Sequence, residues 1–161
     1  MTPLVYLSLG SNLGDCLKHI REAIRELQQL PNSTFQTCSS LYQTKAIGPG
    51  VQNDYINAVC CLHTTLAPDL LLQHLQRIEQ QHQRVRRERW GPRTLDLDIL
   101  LFADQQINSP ALTIPHPGIQ SRAFVLYPLQ EIAPLLILPG LGALSDLLKQ
   151  CPAQGIERLG V

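Results

Sequence analysis

The segment RWGPRTLDLDILLF, residues 89–102, decides the fold of this chain. It starts with charged and rigid residues and continues as a hydrophobic strand that carries two carboxylates, Asp96 and Asp98. Because side chains alternate between the two faces of a strand, these carboxylates point the same way, roughly 6.5–7 Å apart along it. The same alternation predicts a core-facing row on the opposite side, formed by Leu95, Leu97, Ile99 and Leu101.

The aspartate pair has two interpretations. Alternation alone fits the polar face of an edge strand in water. However, Leu100 and Phe102 continue the aspartate row as apolar residues, which predicts that this face is covered further along. Carboxylates beside a covered face repel each other and lose hydration, and a divalent cation relieves both costs. Hard oxygen donors at this spacing suit Mg²⁺, so a magnesium site and a solvated strand face both remain open.

Cations crowd the region just before this strand. Among the arginines between residues 77 and 93, Arg86 and Arg89 do not keep helical spacing with partner acids. Since a guanidinium group matches phosphate oxygens with two parallel hydrogen bonds, phosphate binding is favoured over a solvated charged surface. His116, between two prolines, is either a surface histidine or, with Arg122, part of a second cationic wall.

A flat ligand would find aromatic partners elsewhere in the chain. Tyr55 and Asn57 share one strand face, where packing at the sheet edge is the alternative interpretation, and Trp90 and Phe124 are further candidates for stacking.

The chain contains neither of two glycine-rich nucleotide-binding motifs, G-x-x-x-x-G-K-[ST] and G-x-G-x-x-G. The phosphates of a bound nucleotide would therefore be held by side chains and metal rather than by a glycine-rich loop.

The gross composition is that of an ordinary globular protein. The chain has 161 residues, 44% of them apolar and 16% charged, with a formal net charge of zero. This length predicts a single domain, residues 1–161, and the charge gives no sign of a nucleic-acid or membrane partner. The N-terminal apolar run is too short for a signal peptide, so we expect a cytoplasmic protein. Five cysteines without C-x-x-C spacing predict small buried residues rather than disulfides or a zinc site.

The order of elements predicts the fold class. Hydrophobic alternation predicts strands near residues 4–9, 34–44, 55–66 and 96–102, and helical spacing predicts helices at 17–27 and 68–83. Short helices are predicted within 121–132 and 144–150. The resulting β-α-β-β-α-β order is typical of an α+β, ferredoxin-like sandwich with a mostly antiparallel sheet.

At this point the residues resemble a known family. Residues 89–100 resemble the signature of the hydroxymethyl-dihydropterin pyrophosphokinases, and the likeness continues in the same order through residues 10–14, 42–48, 54–58, 76–79 and 115–124. The resemblance implies transfer of pyrophosphate from ATP to the hydroxymethyl group of 6-hydroxymethyl-7,8-dihydropterin, with release of AMP, in folate biosynthesis. It also implies two Mg²⁺ ions at Asp96 and Asp98, two polar loops at 45–54 and 84–93, and a monomer whose partners are ATP and the reduced pterin alcohol.

Residue roles follow from the same resemblance. ATP would be surrounded by Gln76, Glu79, Arg84, Arg86, Trp90, Arg93, Ile99, His116 and Arg122. The pterin would be held by Thr44, Ile47, Tyr55, Asn57, Trp90 and Phe124. Catalysis would depend on positioning and charge neutralisation by Arg84 and Arg93, with Asp98 the candidate general base.

Two other functions remain as alternatives. A two-metal nucleotidyltransferase or nuclease would need a longer basic track than a zero net charge supports. A ferredoxin-like RNA-binding module would use the arginines and Trp90, but the chain lacks the RNP-type aromatic pattern of such modules.

Overall fold

The computed structural model describes residues 2–45, 54–82, 94–153 and 155–159. Its strands, in chain order, are β1 (Leu4–Ser11), β2 (Ser33–Cys38), β3 (Tyr42–Thr44), β4 (Tyr55–Thr64), β5 (Asp96–Phe102), β6 (Ile107–Asn108), β7 (Thr113–Ile114), β8 (Ile137–Leu138), β9 (Gly142–Ala143) and β10 (Ile156–Arg158). Its α-helices are α1 (Cys16–Leu27), α2 (Pro68–Gln81), α3 (Ala123–Ile132) and α4 (Leu144–Lys149), and a 3₁₀ turn spans Ile119–Ser121.

The central sheet has the order β10-β3-β4-β1-β5, with β2 also paired to β4, and each of these pairings is antiparallel. Helix α1 follows β1 and helix α2 follows β4, so each helix connects two strands that are separated by a third. This is the split β-α-β arrangement of the ferredoxin-like fold. The predicted α+β class and the mostly antiparallel sheet are confirmed.

One predicted strand is divided in two. The chain leaves β2 after Cys38, where the Ser39 backbone N–H donates to the Val59 carbonyl at 2.8 Å and the Val59 N–H donates to Ser39 Oγ at 3.0 Å. The hydroxyl thus replaces a backbone acceptor and ends the regular ladder. The predicted strand over 34–44 is therefore wrong across residues 39–41, and β3 begins separately at Tyr42.

Helices α1 and α2 cover one face of the sheet. Asp15 caps α1 by accepting the Lys18 N–H, and Pro68 occupies the first turn of α2, where its missing N–H costs nothing. The buried helix residues recur at helical spacing: Ile20, Ala23 and Leu27 in α1, and Leu71, Leu75 and Ile78 in α2. They pack against inward-facing strand residues such as Leu7, Cys60 and Leu97. Each fully buried aliphatic side chain contributes about 1.5–3 kcal/mol relative to its exposed state.

Helix α3 covers only part of the other face. Val125, Leu126 and Leu129 of α3 form a second apolar cluster with sheet residues such as Tyr6 and Val59. Pro128 lies inside α3 and is buried, and the helix continues past it to Ile132. Because α3 does not extend to one end of the sheet, the strand residues at that end do not pack against this helix.

A β-bulge changes the face of the last residues of β5. Ile99 pairs with Leu7 but Leu101 pairs with Tyr6, so Leu100 is an additional residue in the ladder. An extra residue reverses the alternation beyond it. The predicted faces of Leu95, Leu97, Ile99 and Leu100 are confirmed, whereas Leu101 lies in the α3 cluster and Phe102 in the α1–α2 core, opposite to the prediction.

The five cysteines are free, as predicted. Cys60, Cys61 and Cys151 are buried, while Cys16 and Cys38 are only partly so. Burial raises the pKa of the Cys38 thiol to about 11. Among the residues that the structure describes, no helix is long and apolar enough to cross a membrane.

Candidate active site

The end of this sheet face that lies beyond α3 carries polar or small residues on three neighbouring strands. Register pairs Asp98 with Ser8, Asp96 with Gly10, and Gly10 in turn with Asn57. We call these five residues the polar patch. Since adjacent strands lie about 4.8 Å apart, Asp96 and Asn57 are separated by roughly 10 Å across the sheet. The patch is therefore wide enough to contact two small ligands at the same time.

The two aspartates share a face, as the alternation predicted. Asp96 and Asp98 are both half-buried, and they flank the inward-facing Leu97. Within the described ranges, no three His, Cys, Asp or Glu side chains are arranged to hold a metal ion by themselves. A cation bound by this pair would thus take its other ligands from water or from substrate oxygens. Mg²⁺ commonly binds in that way, through one or two carboxylates plus phosphates.

His116 is fixed beside Asp98. Its backbone N–H donates to the Leu100 carbonyl at 3.0 Å, and its Nδ1 lies 2.8 Å from the Pro117 carbonyl oxygen. Only a protonated Nδ1 can donate there, so a neutral ring has its lone pair on Nε2. That atom lies 3.8 Å from Asp98 Oδ2. Burial and the charge of Arg122 lower the pKa of His116, although the Pro117 hydrogen bond and Asp96 oppose them.

This geometry is a test of whether a cation fits the site. A neutral Nε2 and a carboxylate oxygen are both hydrogen-bond acceptors, so their approach is favourable when a cation or a proton donor lies close to both. The two carboxylates suit Mg²⁺ that is also bound to phosphate and water, and the imidazole beside them can contact a phosphate or a metal-bound water. The residues present therefore fit the metal that the aspartate spacing predicted.

A cleft of about 280 Å³ runs along the edge of β5. Residues of α2 form one wall, residues 110–117 form the other, and residues 96–99 form the floor. Six of the residues predicted to contact ATP or metal line this single cleft: Gln76, Glu79, Asp96, Asp98, Ile99 and His116. A larger depression around Asn32 and His63 contains no cationic or acidic cluster among its described lining residues.

Glu79 joins α2 to the floor of the cleft. It is only 5% exposed, and its Oε2 accepts the Leu97 backbone N–H at 2.8 Å. β5 ends the sheet order, so an N–H on its outer edge is available to a side chain. The Glu79 carboxylate accepts this hydrogen bond and so ties α2 to the edge of β5. Its location in the cleft agrees with the predicted ATP region, and its contact with ATP stays a prediction.

Asn57 lies at the opposite side of the polar patch. It is buried, and its Nδ2 donates to Thr44 Oγ1 at 2.8 Å. Gly10 makes room for it, because a Cβ at position 10 would lie 3.0 Å from Asn57 Oδ1 and 3.7 Å from Tyr55 Cδ1. Both side chains therefore stand over the same glycine, which confirms that Tyr55 and Asn57 share a face.

Arg122 and Phe124 border the site from the start of α3. The Arg122 guanidinium carbon lies 5.7 Å from the centre of the Phe124 ring, which is a cation–π distance. Its charge is also close enough to lower the pKa of His116. Arg122 thus stands near both His116 and an aromatic ring.

Several predicted site residues lie outside the described residues, namely Ile47, Arg84, Arg86, Trp90 and Arg93. Conversely, the sequence reasoning did not single out Gly10 or Ser8, nor residues 110–113 of the cleft wall. A glycine inside a strand does signal close approach by another group, but the predicted first strand ended at residue 9, whereas β1 continues through Gly10 to Ser11. Nothing local marked residues 110–113, since the chain folding back against β5 brings them there.

Comparison with known proteins gives consistent results. A family model described as 7,8-dihydro-6-hydroxymethylpterin-pyrophosphokinase matches residues 6–134. The chain is 48% identical over 159 residues to a protein of Pseudomonas aeruginosa named 2-amino-4-hydroxy-6-hydroxymethyldihydropteridine pyrophosphokinase, covering 99% of this chain and 98% of that protein. A protein of Haemophilus influenzae with the same name is 47% identical over 145 residues, covering 90% of this chain and 91% of that one.

Solved structures show the same fold at low identity. One described as HPPK-DHPS in complex with substrates superposes with a TM-score of 0.77 at 13% identity, covering 99% of this chain and 47% of that chain. Plasmodium falciparum HPPK-DHPS with pterin and p-hydroxybenzoate gives 0.76 at 16% identity, covering 100% and 47%. This chain therefore spans about half the length of those proteins.

Proposed function

The chain belongs to the 7,8-dihydro-6-hydroxymethylpterin-pyrophosphokinase family, and we infer from this membership and from the site geometry which residues serve each substrate. It is an enzyme that transfers pyrophosphate from ATP to the hydroxymethyl group of 6-hydroxymethyl-7,8-dihydropterin and releases AMP, in folate biosynthesis. The observation that carries our assignment of residues is the position of the aspartate pair. It lies between the cleft at the β5 edge and the side of the polar patch that holds Asn57.

We assign the cleft to ATP. Its apolar lining, such as Leu72 and Ile99, suits a purine ring, and Gln76, Glu79 and His116 supply polar contacts. Asp96 and Asp98 would hold two Mg²⁺ ions, which supply neutralisation of the triphosphate and orientation of its β-phosphorus. By resemblance, Arg84, Arg86, Trp90 and Arg93 would complete the site together with Arg122.

We assign the other side of the patch to the pterin. Asn57 is held in one orientation by Thr44, so its amide is preorganised to recognise the polar edge of a flat heterocycle. Tyr55 and Phe124 would stack on the ring faces, with Ile47 and Trp90 as further contacts implied by resemblance.

In the reaction, the protein has to accept one proton and to offset the charge on the phosphoryl oxygens. The pterin hydroxyl oxygen forms a bond to the β-phosphorus of ATP, and the bond between that phosphorus and the α,β-bridging oxygen breaks, so AMP leaves with the electron pair. The hydroxyl proton must be accepted, and Asp98 is the carboxylate that we propose for this step. Arg84 and Arg93 would offset the charge that develops on the phosphoryl oxygens.

We further propose that residues 1–161 act as a single-domain monomer in the cytoplasm, without nucleic-acid or membrane partners. The zero net charge supports this, and one continuous sheet joins strands from both ends of the described chain. The RNA-binding alternative is not favoured, because α3 covers part of the sheet face such modules use for RNA and Leu100 and Val59 lie beneath it. A two-metal nucleotidyltransferase or nuclease is likewise not favoured by the comparisons.

AMP release in the presence of ATP, magnesium and the reduced pterin alcohol tests the function. We expect AMP in amounts equal to the pyrophosphorylated pterin, and none when the pterin is omitted. Asp96→Asn and Asp98→Asn should each lower kcat by at least about 100-fold, because loss of one ligand leaves the phosphate charge uncompensated. Asp104→Asn, an exposed carboxylate in the turn after β5, is the matched control and should keep full activity. Wild-type turnover in either site variant would refute the metal assignment.

A further inference from the structure

Strand β3 is very short for the position it holds. It consists of Tyr42–Thr44, yet its last residue supplies the hydroxyl that orients Asn57. Tyr42 pairs with Asn57 and Thr44 pairs with Tyr55, so β3 lies directly beside the strand that carries the pterin contacts. Only three residues of β3 pair with β4 on one side and with β10 on the other, so side-chain contacts outside the ladder have a large share in holding this strand in place.

A single carboxylate on α3 binds the start of β3. Glu131 Oε1 accepts the Tyr42 hydroxyl at 2.7 Å. Its Oε2 accepts the Ser40 backbone N–H at 2.8 Å and the Ser40 hydroxyl at 3.0 Å. The two oxygens of one side chain therefore hold Ser40, just before β3, and Tyr42, its first residue.

The C-terminal strand closes the cluster from the other side. β10 pairs with β3, Arg158 Nε donates to Ser40 Oγ at 3.0 Å, and an Arg158 terminal nitrogen lies 3.6 Å from Glu131 Oε2. This strand lies beyond residue 134, where the family match ends. We call Glu131, Tyr42, Ser40 and Arg158 the β3 clamp.

The protonation states keep the clamp intact near neutral pH. Partial burial tends to raise the pKa of Glu131, but the hydrogen bonds from Tyr42 and Ser40 and the charge of Arg158 together lower it. Burial and the bond to Glu131 raise the pKa of Tyr42 to about 12, so its hydroxyl remains a donor. The cluster is thus a charged acceptor surrounded by donors, which is the stronger type of hydrogen bonding.

The clamp connects to the pterin side through β3 itself. Tyr42 and Thr44 are two residues apart and both are buried, so they share the sheet face that carries α3. Because β3 has only three residues, a shift of its backbone at Tyr42 also moves Thr44. Thr44 in turn accepts the hydrogen bond from the Asn57 amide. The side chain of Glu131 therefore acts on Asn57 without touching a substrate.

We propose that Glu131 is a positioning residue for the pterin, which fixes β3 through Tyr42 and Ser40 and so sets the orientation of Thr44 and Asn57. This inference rests on the proposed assignment of Asn57 to the pterin side. Its consequence is selective. Loss of the clamp loosens the pterin site while the cleft at the β5 edge, on the opposite edge of the sheet, is unaffected.

The test compares Glu131→Gln and Tyr42→Phe with Glu157→Gln, an exposed carboxylate on β10, as the matched control. Glutamine offers only one acceptor oxygen, so it cannot satisfy both the Tyr42 hydroxyl donor and the Ser40 N–H as glutamate does. We expect the KM for the pterin alcohol to rise about 3- to 30-fold in Glu131→Gln and less in Tyr42→Phe. The KM for ATP should stay within about twofold of wild type in all variants, and Glu157→Gln should match wild type throughout.

Equal increases in both KM values, or none, would overturn the proposal, since a purely structural defect has no reason to spare ATP. Hydrogen exchange of the Tyr42–Thr44 amides gives a readout that needs no activity. These amides should exchange at least about tenfold faster in Glu131→Gln while the β1–β4 ladder is unchanged. If wild-type protein released no AMP, the proposed function would fail, whereas unchanged exchange in Glu131→Gln would refute the clamp alone.

Discussion

Gly10→Ala places one methyl group in the centre of the polar patch. The new Cβ would lie 3.0 Å from Asn57 Oδ1, which is closer than a carbon and an oxygen normally approach. Its other near neighbours, Tyr55 Cδ1 at 3.7 Å and the Ile56 carbonyl oxygen at 4.0 Å, are at ordinary contact distance. The substitution therefore acts almost entirely through the Asn57 side chain.

The size of the effect follows from the hydrogen bond that Asn57 makes. To relieve the contact, the amide must shift by a few tenths of an ångström, and its 2.8 Å bond to Thr44 Oγ1 lengthens or breaks. A net hydrogen bond contributes about 0.5–1.5 kcal/mol, and a buried group left without its partner costs about 1–3 kcal/mol. A loss of roughly 1–2 kcal/mol in pterin binding corresponds to about a 5- to 30-fold rise in KM.

A double-mutant cycle isolates this contact. The KM for the pterin alcohol would be measured in wild type, Gly10→Ala, Asn57→Ala and the double variant. With the Asn57 side chain removed, the methyl group meets no atom closer than 3.7 Å, so Gly10→Ala should add less than about twofold in that background. Fully additive effects of the two substitutions would refute the reasoning, because they would mean that Gly10 acts on something other than Asn57.

Three further predictions concern Glu79, the two arginines Arg84 and Arg93, and the pH dependence of stability. Glu79→Leu should lower the free energy of unfolding in urea by about 1–3 kcal/mol, since the Leu97 N–H loses its carboxylate acceptor; a loss under about 0.5 kcal/mol would contradict this role. Arg84→Ala and Arg93→Ala should lower kcat more than they raise the KM for ATP, and steady-state kinetics showing a raised KM alone would contradict the transition-state role. Burial and the neighbouring His82 lower the pKa of His19 below its ordinary 6.5. As the pH falls through that value, His19 therefore binds a proton in the unfolded chain at a higher pH than in the folded protein. The free energy of unfolding should therefore fall between about pH 7 and pH 5.5, and less steeply in His19→Gln; identical slopes in denaturant titrations at each pH would contradict it.

Local periodicity was enough to predict the main elements and the aspartate pair. The spacing of Leu17, Ile20, Ile24 and Leu27 corresponds to α1, whose actual bounds are Cys16–Leu27. Strict alternation through residues 95–99 placed Asp96 and Asp98 on one face, because two residues per repeat is a property of the strand itself.

The errors arise where a distant part of the chain decides the structure. The bulge at Leu100 depends on how β5 meets β1 at Tyr6 and Leu7, and nothing within residues 96–102 signals it. Strand β10 and the β8–β9 hairpin are two or three residues each, too short for periodicity to detect, and they form only because partner strands are available.

The same distinction holds for the site. The family resemblance implied Gln76 and Glu79, and the position of His116 between two prolines had already marked it as a candidate; folding brings all three into one cleft with the aspartates. The β3 clamp could not be predicted, because it joins residues 40–42, 131 and 158, which have no shared motif in the sequence.

The proposed reaction requires that the aspartate pair binds the divalent cations that accompany ATP. Crystals grown with a non-hydrolysable ATP analogue and manganese would test it by anomalous scattering. We expect manganese peaks about 2.1 Å from carboxylate oxygens of Asp96 and Asp98, with the triphosphate in the cleft beside His116. Manganese bound elsewhere, with the analogue in place and these oxygens free of metal, would contradict it.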